Sequence, residues 1–344
     1  MSKPIRVLTI DGGGTRGLFP ATILRKLEED TGKSITDMFD VIAGNATGGI
    51  IAMGLASGMK IENIAEIYRD RADFILPPSS FWRKIRNPVN LFAPKFPNKN
   101  LKQLLSERLG ANSTLGDVTN RFGTDTIFLT GTLDMSPALK DGETPGFKIV
   151  IYNSAFNTYD DELLVDIAMR TSAAAVNLPL YQHYSESGNY ANDPAMIALS
   201  FCMNQQQAAG PGTSTLSDNA MGLKARPEDI KFLSLGCGAT GSSFVPREKI
   251  GNGNWGLTKW MGRLISLVIH TNMAANQYYV QQFLDPSQYF RLSAYYKADD
   301  SPKVLKDKKL AIDVTDKEQL LAIQTYAEHT YAKQREALLA FLDF

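Results

Sequence analysis

Short apolar and β-branched runs alternate with helix-spaced apolar positions from the start of the chain. Arg6-Val7-Leu8-Thr9-Ile10 reads as a buried strand, broken by Gly12, Gly13 and Gly14. Leu18, Ile23, Leu24 and Leu27 then recur at helical spacing over residues 18–29, with Pro20 in the first turn, where its missing N–H costs little. A second unit follows, with residues 39–43 as strand, residues 47–57 as helix and Gly58 as its stop. Strand, glycine turn and helix, twice in succession, predict βαβ winding: an α/β fold with a mainly parallel sheet flanked by helices. Further strands are predicted at 126–130, 147–152 and 231–235. Residues 315–344 carry a long helical pattern, with Leu320, Ile323, Tyr326, Leu338 and Phe341 as packing positions.

Three segments depart from this rhythm. Residues 73–100 mix aromatic, proline and basic side chains, with 81–86 the densest run, and suit an irregular cap over a site. Residues 204–227 are rich in Gln, Ala, Gly, Ser and Thr and read as a loop. Trp255, Leu257, Trp260, Met261, Leu264, Ile265, Leu267 and Val268 read as a buried helix, with an interfacial helix as the alternative. The 81–86 run is open to the same interfacial reading. No repeat or linker divides the chain. One domain over residues 1–344 is expected, its core at about 5–240, its cap at about 73–100 and a helical part at about 255–344.

Composition narrows the classes of function. Hydrophobic residues make up 44% and charged residues 21%, ordinary for a globular domain. Lys plus Arg and Asp plus Glu number 36 each, which argues against a nucleic acid polymer as partner. The first residues lack a signal-peptide pattern, and no run is long enough for a membrane span, so a cytoplasmic protein is expected, with peripheral membrane contact as an addition. Cys202 and Cys237 fit reduced packing residues. His183, His270 and His329 are scattered, and no His or Cys pair has metal-ligand spacing, so neither metal nor cofactor is expected.

Two glycine-rich turns carry the candidate chemistry. Asp11-Gly12-Gly13-Gly14-Thr15-Arg16-Gly17 lets backbone N–H groups approach an anion at a helix start, and Arg16 adds a positive charge. It matches neither G-x-G-x-x-G nor a Walker A loop. Gly44-Asn45-Ala46-Thr47-Gly48 follows a strand and opens a helix, the setting of a G-x-S-x-G nucleophile elbow. The central position holds alanine. Without a lone pair there, Ala46 cannot attack an ester.

Together these motifs resemble those of the patatin-like phospholipases, serine–aspartate acyl hydrolases that carry a D-G-G-G-x-R-G loop followed by G-x-S-x-G. Ala168-Met169-Arg170-Thr171-Ser172-Ala173-Ala174 is similar to the family's A-x-R-A-T-S-A-A segment, one residue shorter, and Ser234-Leu235-Gly236-Cys237-Gly238 to its S-L-G-T-G. The resemblance covers residues 5–240 or so and implies a three-layer α/β fold and a lipid or acyl-ester ligand. It places the oxyanion hole at Gly12, Gly13, Gly14 and Arg16, the elbow glycines at Gly44 and Gly48, and the lost nucleophile at Ala46.

The family's second catalytic residue lies in D-G-G-x-x-A-N-x-P. Ala191, Asn192 and Pro194 align without a gap, which puts Glu186 at the aspartate and Ser187 at the first glycine. Glutamate remains a base, one methylene longer. A serine-to-alanine change alone is the usual design of an inactivated enzyme; the Glu186-Ser187 departure is not, and points instead to a dyad degenerate by descent. The resemblance thus implies a lipid acyl hydrolase scaffold, inactive as written. A non-hydrolytic binding protein is one alternative, and a bacterial immune effector switched by a cyclic nucleotide is another. A homo-oligomer is also expected.

Overall fold

In the computed structural model the two predicted βαβ units form the centre of one sheet. The structure describes residues 3–78, 87, 90, 92–138, 146–205, 222–239, 245, 247–261, 263–296, 299–306 and 312–344. Strands β1 (Ile5–Ile10), β2 (Val41–Gly44), β3 (Ile127–Asp134), β4 (Lys148–Asn153), β5 (Tyr184–Glu186), β6 (Ile230–Leu235) and β7 (Tyr289–Leu292) lie in the order β4-β3-β2-β1-β6-β7. The β1–β2, β2–β3, β1–β6 and β6–β7 pairs are parallel; β4 and β5 both pair antiparallel with β3. The sheet is therefore parallel at its centre, under the candidate site.

Among the described residues, the helices of eight residues or more are α1 (Leu18–Thr31), α2 (Thr47–Ala56), α3 (Ile61–Asp70), α4 (Lys99–Leu109), α5 (Leu115–Phe122), α6 (Leu164–Thr171), α7 (Ala195–Met203), α8 (Leu264–Phe283) and α9 (Lys317–Phe341). Alternate strand residues feed two cores. Leu8, Ile10, Ile42 and Phe128 face the larger core, with α1, α2, α3 and α9. Val7, Val41, Ala43, Ile127 and Leu129 face the smaller one, beneath α7 and Val280 of α8. Both faces of the sheet are covered, which is why these strands read as continuous apolar runs. The result is a three-layer α/β fold.

The C-terminal pattern forms α9, with Leu320, Ile323, Tyr326 and Leu338 buried and Phe341 packed against the core. Within the segment expected to form a cap, Ala72–Ile75 is a helical turn, and the N–H groups of Lys95 and Phe96 donate to Val176 O and Asn177 O. Residues 81–86 lie outside the described set. The buried-helix reading of 255–268 is corrected. Leu257 is 70% and Met261 63% exposed, and Leu264, Ile265 and Val268 also face outward. Their spacing is helical, but α8 packs on the body through Asn272, Met273, Asn276 and Val280 instead.

Candidate active site

Ala46 ends the β2 turn in a conformation that a side chain seldom adopts. Its φ is 48° and ψ −113°, a left-handed setting that costs about 1–3 kcal/mol for a residue with a Cβ. Such strain persists only where the surroundings fix it, and here glycines do so. A Cβ on Gly44 would lie 2.0 Å from Gly48 O, and one on Gly48 would lie 2.0 Å from Ile10 O. The turn is closed by Gly48 N–H donating to Asn45 O at 2.8 Å, while the Ala46 N–H donates to Thr171 Oγ1 at 3.2 Å. The backbone is that of a nucleophile elbow carrying a methyl group.

The glycine loop lies against the end of β6 and the 190–193 segment. Gly12 N–H donates to Asn192 O at 2.9 Å, and Asn192 Nδ2 returns a bond to Gly12 O at 3.3 Å. That donor is therefore spent within the protein. The Gly13 and Gly14 N–H groups have no acceptor among the described residues. A Cβ on Gly13 would meet Cys237 Cβ at 2.2 Å, and Gly14 (φ 59°) lies under the Ile312 carbonyl, which accepts the Thr15 N–H at 2.8 Å. Arg16 folds back, its Nε donating to Gly13 O at 3.4 Å. Its charge sits beside the two unspent donors.

Glu186 ends β5, partly buried, and burial alone pushes its carboxyl up to about 7. The segment that closes α6 holds both family positions: Thr171 takes the Ala46 N–H, and Ala173 O accepts the Glu186 N–H at 3.1 Å. The next residue completes the link, since the Ser187 hydroxyl donates to Asn45 Oδ1. Residues 186–187 thus lie against residues 45–46. Asp193 is not a substitute base. It is fully buried, and its Oδ1 caps the turn at Ala195 N at 3.0 Å.

A buried ion cluster lies under the loop. Arg291, on β7, contacts Asp11 through Nη1–Oδ1 at 2.9 Å and Nη2–Oδ2 at 2.5 Å. The same guanidinium donates to Ser234 Oγ at 2.6 Å and stands 3.6 Å from Asp193 Oδ2. Burial pushes the Asp11 carboxyl up to about 7 against the pull of Arg291. The two carboxylates outweigh the desolvation of Arg291 and keep it protonated. The sequence patterns passed over Arg291, Ile312 and the role of Thr171. Only Thr171 lay within a recognised motif.

The sequence model of patatin-like phospholipases matches residues 8–199, more than half of the chain, and spans the glycine loop, the elbow and Glu186. The chain belongs to the patatin-like phospholipase family. A cGAMP-activated phospholipase of Vibrio cholerae is 27% identical over 80% of this chain and 76% of its own length. A cGAMP-activated phospholipase of Pseudomonas aeruginosa is 26% identical over 90% and 84%. Patatin-like protein 2 of Arabidopsis thaliana is 29% identical over 75% and 65%.

The raised Glu186 pKa sets a stability slope that this patatin-like chain should display. Between its ordinary value of 4.5 and about 7, the folded chain holds a proton that the unfolded chain has released. Stability from this group therefore falls as pH rises through that window and stays low above it. Glu186→Gln removes the slope. Thermal melts across the window should show the variant drawing ahead of the parent as pH rises, with the gap constant beyond about 7. A gap that does not change with pH would remove the buried-acid assignment.

Proposed function

We propose that this chain is a lipid acyl hydrolase scaffold that keeps oxyanion donors but has lost hydrolysis at residue 46. The observation that carries this reading is Ala46 held at φ 48° and ψ −113° at the end of β2, next to the end of β1 from which the loop with its two unspent N–H groups leaves. An acyl ester would place its carbonyl oxygen against Gly13 and Gly14, with Arg16 reinforcing the field. Ala46 presents no oxygen to the carbonyl carbon, so no acyl-enzyme forms there. Glu186, whose carboxyl burial raises to about 7, is the acid at the base position in this reading.

Reintroducing the hydroxyl tests this. The parent should form no acyl-enzyme at residue 46 with a nitrophenyl ester. In Ala46→Ser, the serine would pass its proton to the Glu186 carboxylate and attack the carbonyl, giving slow turnover of mixed-micelle phospholipid. Adding Glu186→Asp and Ser187→Gly should raise that rate by about a hundredfold, because base reach and turn geometry are restored together. A burst traced to residue 46 in the parent overturns the reading, as does a folded triple variant inert on a panel of esters.

A second reading rests on the cGAMP-activated phospholipases that align over most of this chain. In it, the chain is a nucleotide-regulated effector. A change in oligomer mass on adding cGAMP would favour it.

A further inference from the structure

The helix α8 presents two faces with different fates. One is bolted to the candidate site: Asn272 Oδ1 accepts the Asn192 N–H at 3.3 Å, Asn192 Nδ2 lies 3.0 Å from Met273 Sδ, and Asn276 Nδ2 donates to Asp193 O at 2.8 Å. The other carries Leu264, Ile265 and Val268, and the separate short helix Leu257–Met261 that precedes it carries Leu257, Trp260 and Met261, all six exposed. The steps between them are three, one, three, one and three residues, the spacing of a single helical stripe. A patch of this size on the outside of a folded chain marks a surface that something covers.

The charges beside the stripe say what. No Asp or Glu stands between Lys249 and Asp285, whereas Lys259 and Arg263 lie within the stripe's span. Both cations sit over one indole, Arg263 Cζ 5.3 Å and Lys259 Nζ 5.8 Å from the Trp255 ring centre, and Trp255 meets Trp260 edge to face at 5.2 Å. Tryptophans with cations at the end of an apolar stripe match the boundary between acyl chains and anionic head groups. A second copy of this chain would bring the same cations and no acid from its own stripe, so self-docking gains no charge pairing there.

We propose that the exposed stripe over residues 257–268 docks the protein on an anionic lipid bilayer, with Lys259 and Arg263 at the head groups. It goes beyond the acyl-hydrolase reading and does not depend on chemistry at residue 46.

Vesicle flotation of the full chain tests the proposal without measuring hydrolysis, so its failure is separable from failure of the ester-site reading. The parent should float with vesicles of phosphatidylcholine mixed with phosphatidylglycerol and partition at least about tenfold less onto phosphatidylcholine alone, since each cation near an anionic surface is worth about fivefold. Leu264→Asp/Ile265→Asp should lower partitioning by more than about tenfold with little change in melting temperature, because neither side chain belongs to the buried cores. Leu321→Asp, at another position 62% exposed, should change nothing. Equal partitioning to both vesicles, or none, overturns the proposal. So does a parent dimer, seen by light scattering, that Leu264→Asp/Ile265→Asp converts to monomer.

Discussion

Arg291→Met is expected to destabilise the fold by about 3–5 kcal/mol, the cost of leaving buried charges without their partner. Asp11 is wholly buried and takes two contacts from the guanidinium; Asp193 is wholly buried at 3.6 Å. Methionine fills similar volume, so packing contributes little to the loss. The pH dependence identifies the cause. Asp11 is already raised from 3.8 to about 7 with Arg291 present, and removing the cation raises it further. Below about 7 the acid holds its proton in both folded proteins, so this part of the defect should be constant there and widen as pH rises above that value. Denaturant midpoints at several pH values measure this. Arg291→Lys should recover only part of the loss, because an ammonium cannot reproduce the two-pronged contact. A loss independent of pH would mean that Arg291 serves by shape alone.

Gly48→Ala should be almost as damaging. Its Cβ would stand 2.0 Å from Ile10 O and 3.0 Å from Asp11 O, and these are backbone atoms at the end of the central strand. No rotamer change relieves such a contact, so the cost is expected at or above the upper end of the about 1–3 kcal/mol range for overpacking. Gly32→Ala is the reference: its new Cβ would meet nothing within 4 Å, and only the φ of 65° is strained. Urea midpoints for the two variants should differ clearly in that order. Similar midpoints would mean that the elbow is looser than its geometry implies.

Much of this architecture was legible in the chain. The runs that became β1, β2, β3 and β6 are apolar on both faces because helices cover both sides of the sheet. The short strands were not legible. Tyr184–Glu186 and Tyr289–Leu292 have three and four residues, and their strand form comes from pairing with β3 and β6. Helical periodicity found α8 and its preceding turn but not their orientation, since a stripe against the core and a stripe facing outward share one spacing. In the site, the glycine and Ala46 positions followed from motifs read locally. That Gly12 spends its N–H on Asn192, or that Arg291 supports Asp11, depends on partners 180 and 280 residues away. No local pattern encodes them.

Those distant ties also set an order of assembly. The glycine loop is made before every one of its fastenings, which are Asn192, Cys237, Arg291 and the Ile312 carbonyl. The strand β1 that supports it gains its β6 neighbour only after Ile230–Leu235 has been synthesised. During vectorial synthesis the loop therefore stays incompletely fastened until Ile312 has left the ribosome. In a nascent patatin-like chain of this design, the turn that holds the Gly13 and Gly14 donors takes its final shape only after the segment carrying Ile312 has folded back onto it.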